Sequence, residues 1–507
     1  MQLSKKHLKN ISAQSGVIIP NEKIFSLPEK VLQFGTGVLL RGLPDYFIDK
    51  ANRQGKFNGR IIVVKSTTSG GSDEFGKQDN LYTICIRGVE NGKKIEELII
   101  NSCISQVLSA KENWNDILRC AYNPELKIII SNTTEVGIVL MEDDIRLSPP
   151  QSFPGKLLAF LYERYKAFNG NKESGMVVIP TELIPDNGEK LRAIVLELAK
   201  INKLEDVFID WLRSSNHFCS SLVDRIVPGK LQENDRNNTE KKLGYEDELM
   251  IMAEPFHLWA IESGSEEVKH ILSFAASDDG VIISPDIEKF RELKLRLLNG
   301  THSFGCGLAF LAGFKTVKEA MNNSFMGSFI HNLAINEMAL AMSNGKISYP
   351  EASIFANKVI DRFKNPFIDH QWLSITVQYS SKMKMRNIPL LIKYYQKQDC
   401  VPEHMTLGFA AYLLFMKGRS ENGSYFGQIN GSQYAVQDDQ AAYFAGKWSG
   451  NNVDEVVDAV MADKEFWETD LTSLSGFAEA VKINLHSLMQ NGVMKTIENI
   501  TSNKTVV

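Results

Sequence analysis

The chain has 507 residues, which at ~150 residues per domain makes room for about two to four domains. Lys and Arg total 56 against 61 Asp and Glu, a formal net charge of −5 that excludes a strongly basic nucleic-acid binder. With 43% hydrophobic and 23% charged residues the chain can bury a sizeable core, which excludes wholesale disorder.

Taken in chain order, residues 31–34 form a short apolar run ending at Gly35, and 39–51 read as a helix with Pro44 as a blemish. Residues 61–64 are β-branched and lead into a loop-like stretch, 66–72. Two strands follow, 81–87 and 96–102, in an antiparallel pair, then a helix at 113–121 and further β-branched runs within 127–131 and 176–180. Continuous apolar runs are the signature of parallel strands buried on both faces. Their alternation with helices predicts an α/β fold with a doubly wound sheet. The polar stretch 234–242 reads as an exposed loop. After Pro285 helix-period patterns take over, as in 287–298 and 332–342. These shifts predict a dinucleotide-binding domain of Rossmann type over 1–284 and a mostly α-helical domain over 285–507.

Six cysteines without a C-x-x-C pair point to reduced thiols and away from a disulfide scaffold or zinc ribbon. Residues 1–16 show no apolar signal core, and the apolar run 410–416 is far too short to span a bilayer. A cytoplasmic protein with no membrane or nucleic-acid partner is expected.

Two constellations carry chemistry. The first is Gln33-Phe34-Gly35-Thr36-Gly37, between a strand and a helix. Glycines there let backbone approach a pyrophosphate seated on a helix N-terminus. An ordinary strand-to-helix turn is the plainer alternative, and the third fingerprint position is Leu40, not Gly. The second strand ends Lys65-Ser66-Thr67-Thr68 without the acid that would hold a ribose 2′-hydroxyl, so NAD and NADP both stay open here. The second constellation is Lys294, Asn299 and His302. On an α-helix they fall at roughly 0°, 140° and 80°, one broad face. A desolvated Lys can act as general acid/base, an amide can steady an alkoxide-like oxygen, and a His can orient a hydroxyl. The alternative is a surface Lys, a buried Asn and a core His. The nine histidines are scattered, with no H-E-x-x-H, and a G-x-S-x-G elbow is missing. Residues 361–364 read as a solvated helix end.

The spacing Lys294-x₄-Asn299-x₂-His302, together with Val223-Asp224-Arg225-Ile226-Val227-Pro228, resembles the mannitol dehydrogenase (long-chain polyol dehydrogenase) family over about residues 31–471. Gln78-Asp79-Asn80-Leu81-Tyr82-Thr83, Glu254-Pro255-Phe256 and Arg362-Phe363-Lys364-Asn365-Pro366 support the resemblance. Residues 123–137 and Val436-Gln437-Asp438-Asp439 are similar to its uronate branch. The resemblance implies a Rossmann-type domain, a mostly helical second domain, no catalytic metal, NAD as cofactor, and a keto-uronate or hexonate substrate such as tagaturonate. Fructuronate, mannitol and a catalytically silent nucleotide-binding protein are the rivals. It makes Lys294 the general acid/base, pairs Asn299 with Asn187 at the developing oxyanion, and sets His302 on the reacting hydroxyl. Phe34, Gly35, Gly37, Lys65 and Thr134 are expected at the cofactor, and Asp224 and Lys382 in the substrate pocket. A uronate carboxylate calls for a cation, with Arg225, Lys382 and Arg386 as candidates. The chain departs from the family pattern at Leu39 and Leu43, and at Arg291, where polyol members carry a Glu; the nearest acid is Glu292.

Overall fold

The structure, a computed structural model, describes residues 1–66, 72–133, 137–429 and 431–502. The chain forms two compact units, Met1–Arg87 with Ile95–Ile287, and Gly88–Lys94 with Glu288–Val507.

The strands of the first unit, in chain order, are β1 (Val17–Ile18), β2 (Glu29–Phe34), β3 (Arg60–Lys65), β4 (Tyr82–Glu90), β5 (Lys93–Asn101), β6 (Ile104–Ser109), β7 (Ile128–Ser131), β8 (Val177–Pro180), β9 (His217–Phe218), β10 (Ser221–Asp224), β11 (Ile251–Ala253), β12 (Leu258–Glu262) and β13 (Val281–Ser284). Six of them build a parallel sheet in the order β6-β3-β2-β7-β8-β9. This is the doubly wound order, in which the strand sequence reverses beside the first strand, here between β2 and β7. The continuous apolar runs follow from burial on both faces. Val31, Ile61, Val63, Ile128 and Ile130 join one core with Phe47, Ile48 and Trp259. Leu32, Phe34, Ile62, Val64 and Ile129 join the other with Leu157, Phe160, Leu191 and Val195. Alternate residues of one strand thus serve opposite cores. Two smaller sheets, β1-β5-β4-β11 and β10-β12-β13, complete the unit. The β4–β5 connection is the two-residue turn Asn91-Gly92, both at positive φ, as hairpin twist demands, and this tip, Gly88–Lys94, belongs to the second unit.

Two expectations need correction in this unit. The helix expected over 39–51 is two helices, Val38–Gly42 and Pro44–Arg53, broken at Leu43. Pro44 sits at the start of the second, where a missing N–H costs nothing. The expected loop at 234–242 is the helix Glu233–Leu243. Its polarity hides the pattern, because only Thr239 and Leu243 are buried. Arg236 pairs with Glu240 and Glu248, and Gly244 closes the helix in the left-handed region.

The second unit is mostly helical, with one three-stranded antiparallel sheet, β14 (Arg419–Glu421), β15 (Ser424–Ile429) and β16 (Ser432–Ala435). At its centre helix Gly300–Leu311 crosses helix Glu403–Phe415 closely. A Cβ on Gly408 would lie 2.9 Å from the Phe304 carbonyl, and one on Gly307 3.3 Å from the Ala411 carbonyl. Three π-helical stretches, Lys294–Asn299, Leu333–Ala339 and Met383–Asn387, interrupt the helices, and the first packs against the other two. No described helix is long and apolar enough to cross a membrane.

Candidate active site

In the first unit the Gly35 turn follows β2 at the carboxyl end of the sheet, where doubly wound folds bind nucleotides. Gly35 has φ +125°, and a Cβ there would lie 2.9 Å from Leu40 Cδ1 and 3.0 Å from the Asn132 carbonyl oxygen. Gly37 caps helix Val38–Gly42, and a Cβ on it would meet nothing within 4 Å. A tight glycine turn with open space above it fits a nucleotide pyrophosphate. The Phe34 ring is buried in the core, 5.2 Å from Phe153, which leaves its main chain to meet a cofactor. Lys65 ends β3 and is buried. Thr134, with Thr67 and Thr68, lies outside the described residues.

Hydrogen bonding fixes the side chains of two further residues expected at the site. The Asn187 amide nitrogen donates to the carbonyls of Pro180, Glu182 and Ser221 at 3.1, 2.9 and 3.1 Å, and its oxygen accepts the Ser221 N–H. With two hydrogens shared among three carbonyls, Asn187 ties β8 to β10. Arg225 donates from Nε to the Glu254 carbonyl at 2.9 Å and from Nη1 to the Gly42 carbonyl at 2.7 Å, with its guanidinium over the Tyr46 ring. It therefore braces the loop through Nε and Nη1, while its Nη2 is buried without a hydrogen-bond partner. Asp224 is buried at the end of β10.

The second unit holds the trio. Lys294 and Asn299 are the ends of the first π stretch, and His302 follows in helix Gly300–Leu311. The Gly300 N–H reaches back five residues to the Leu295 carbonyl. Closure over five residues sets Lys294 and Asn299 nearly one turn apart, whereas an α-helix would swing them ~140° from each other. Widening the turn costs hydrogen bonds, and side chains restore them: the Thr301 hydroxyl donates to the Leu297 carbonyl and the Ser303 hydroxyl to the Asn299 carbonyl. The Asn299 amide has no hydrogen-bond partner among the described residues, so it is available to a ligand.

The third π stretch carries Arg386 and follows directly on Lys382. It is stapled to the first from both sides. Arg296 donates from Nη1 to the Met385 and Arg386 carbonyls, and Asn387 donates to the Gly300 carbonyl at 3.0 Å. Arg386 Nη1 reaches the Ser303 hydroxyl at 3.2 Å, and Lys382 Nζ donates to the Ile375 carbonyl at 2.8 Å. Glu292 is held by Arg296 and Lys393. The structure thus gathers Lys294, Asn299, His302, Lys382 and Arg386 on packed, hydrogen-bonded segments of one unit.

His302 stacks on Phe363 at 4.1 Å and meets His370 edge-on at 5.1 Å and Trp372 at 6.1 Å. Burial first, then His370, Arg362, Arg386 and Lys382, hold its pKa well below the ordinary imidazole value, so it is neutral at pH 7. Arg362 and Phe363 are buried and are no solvated helix end, since Phe363 packs on His302 and Trp372. His370 is the residue that sequence reasoning missed. Its only signal was its place just past the Arg362–Pro366 stretch.

Known proteins bear on this arrangement. The family model for the mannitol dehydrogenase Rossmann domain matches residues 29–271, and that for the mannitol dehydrogenase C-terminal domain matches 286–489. Altronate oxidoreductase of Bacillus subtilis (strain 168) is 36% identical over 476 residues, 93% of this chain and 95% of its own length. Altronate oxidoreductase of Halalkalibacterium halodurans is 34% identical over 489 residues, 94% of each chain. The structure of Pseudomonas fluorescens mannitol 2-dehydrogenase, a ternary complex with NAD and D-mannitol, has a TM-score of 0.64 at 22% identity and covers 99% of this chain and 100% of its own. The parallel nucleotide-type sheet, the Lys-Asn-His trio and these matches lead to one conclusion: the chain belongs to the mannitol dehydrogenase family and is a nicotinamide-dependent oxidoreductase acting on CH–OH groups.

Proposed function

We propose that this protein reduces the keto group of tagaturonate to altronate with NADH and catalyses the reverse oxidation with NAD. The observation that carries the reading is the packing of the segment bearing Lys294, Asn299 and His302 against the segment bearing Lys382 and Arg386. The first three residues suit alcohol–ketone chemistry, and the two cations suit a substrate carboxylate. The names of the Bacillus and Halalkalibacterium relatives point to the same substrate pair, and the Pseudomonas fold carries NAD.

A bound nicotinamide cofactor supplies the hydride. Lys294 donates a proton to the carbonyl oxygen as negative charge grows there. The Asn299 amide N–H₂ steadies that charge. His302, kept neutral, offers the reacting oxygen a hydrogen bond without competing for the proton on Lys294. Asp224 accepts from a substrate hydroxyl, and Lys382 faces the acidic end. In the first unit the Gly35–Gly37 turn presents backbone to the cofactor pyrophosphate, and Lys65 stands where the ribose is read.

The test is NADH oxidation with tagaturonate, fructuronate and fructose, repeated with NADPH. The highest kcat/KM is expected for tagaturonate with NADH. A neutral ketose turned over best, or a clear preference for NADPH, contradicts the substrate or the cofactor. Firm NADH binding with no turnover of any of them would make this a silent nucleotide-binding protein.

A further inference from the structure

Resting on the reading that the substrate is a sugar acid, we propose that His370 is a specificity-determining substrate contact, completing with Lys382 and Arg386 an anion subsite beside His302 that takes the carboxylate. The geometry comes first. The His302 and His370 rings meet edge-on at 5.1 Å, and neither imidazole makes a side-chain hydrogen bond among the described residues. Phe363 closes one face of His302 by stacking, so its polar edge is left for a ligand. Arg386 places one nitrogen on the Ser303 hydroxyl, next in sequence to His302, while its Nε is buried without a hydrogen-bond partner.

Charge then selects the ligand. The four groups that act most strongly on His302 are His370, Arg362, Arg386 and Lys382, and each disfavours a positive imidazole. Lys382 does the same to His370, and Arg386 the same to Lys382. Two acidic groups offset Lys382, the Cys306 thiol and Asp438. The Asp438 carboxylate is already taken by the Ser380 and Gln440 N–H groups. Lys382 and Arg386, with the neutral edge of His370, are satisfied by one negative, multiply accepting group. Neutral hydroxyls would leave the repulsion between Lys382 and Arg386 in place. A carboxylate accepts from both and from an imidazole N–H.

The experiment is calorimetric titration of the NADH-loaded enzyme with altronate and with altritol, which differ only in carboxylate against hydroxymethyl. Wild type should bind altronate more tightly. His370→Phe keeps a ring against His302 and should weaken altronate roughly tenfold, the loss of one hydrogen bond to a charged group, with altritol changed by less than about threefold. His370→Gln, which keeps a donor, should recover most of the difference, and Arg386→Met should lose it again. Equal losses on both ligands, or an undiminished preference for altronate in His370→Phe and Arg386→Met, would overturn the subsite. If wild type nonetheless reduces tagaturonate, that result leaves the proposed function standing. A wild type that turns over no keto-uronate takes both readings down.

Discussion

Asp45 shows what a single buried group does to this fold. It lies in helix Pro44–Arg53 and accepts from the Tyr82 hydroxyl at 3.2 Å. Burial above all pushes its pKa up to about 7, against the lowering effect of Gln33, Tyr82 and Arg41. Between pH ~4 and ~7 the folded state therefore holds a proton that the unfolded chain has released. Stability falls as pH rises through that window, by up to about 4 kcal/mol, and stays level above it. Asp45→Asn, a mimic of the protonated acid, should flatten the slope in urea unfolding across the window; a slope as steep as that of wild type would contradict the assignment. Gly35 makes a second residue-scale case. Gly35→Ala must hold φ +125° and press on a backbone oxygen that cannot move aside. Strain of about 1–3 kcal/mol should reach the nucleotide turn and weaken NADH binding, read by fluorescence titration. Unchanged affinity would show that the turn does not need glycine. The tight turn at Gly35 was legible because a G-x-G between an apolar run and a helix marks a strand-to-helix turn. The hydrogen bonds of Asn187 and Arg225 were not, because residue type says nothing of where hydrogen bonds are made. Asn187 donates to three carbonyls and Arg225 to two, and the Ser221, Glu254 and Gly42 carbonyls among them come from distant sequence.

At the scale of elements, the π stretches are where sequence periodicity stops informing. A wheel of 100° per residue has no place for a five-residue closure, so the separation read for Lys294 and Asn299 was too wide. The interlock between Lys294–Asn299 and Met383–Asn387 was equally hidden, because it joins side chains to carbonyls about ninety positions away. Arg296→Met should remove two of those donors. A small misplacement of the neighbouring trio should then lower kcat by about ten- to a hundredfold, with NADH affinity unchanged. Stopped-flow turnover alongside NADH titration checks this, and a normal kcat would mean that the staple supports the fold alone. Helix Glu233–Leu243 teaches the opposite lesson. Ion pairs and a glycine cap sustain a helix that has almost no apolar stripe to announce it.

On the scale of the whole molecule, the parallel sheet was readable because strands buried on both faces must be apolar throughout. The meander β14–β16 was not, since its strands are short and mostly exposed. The proposed function divides labour between the two units, with nucleotide binding assigned to the Gly35 turn of the first and proton transfer to Lys294 of the second. That division is open to one measurement, tagaturonate turnover and NADH affinity determined side by side for Lys294→Ala. Turnover should fall by at least ~10², the low end for a lost general acid/base, while NADH binds as in wild type. Near-normal turnover in this variant would contradict the assignment of Lys294, and with it the proposed chemistry of the site.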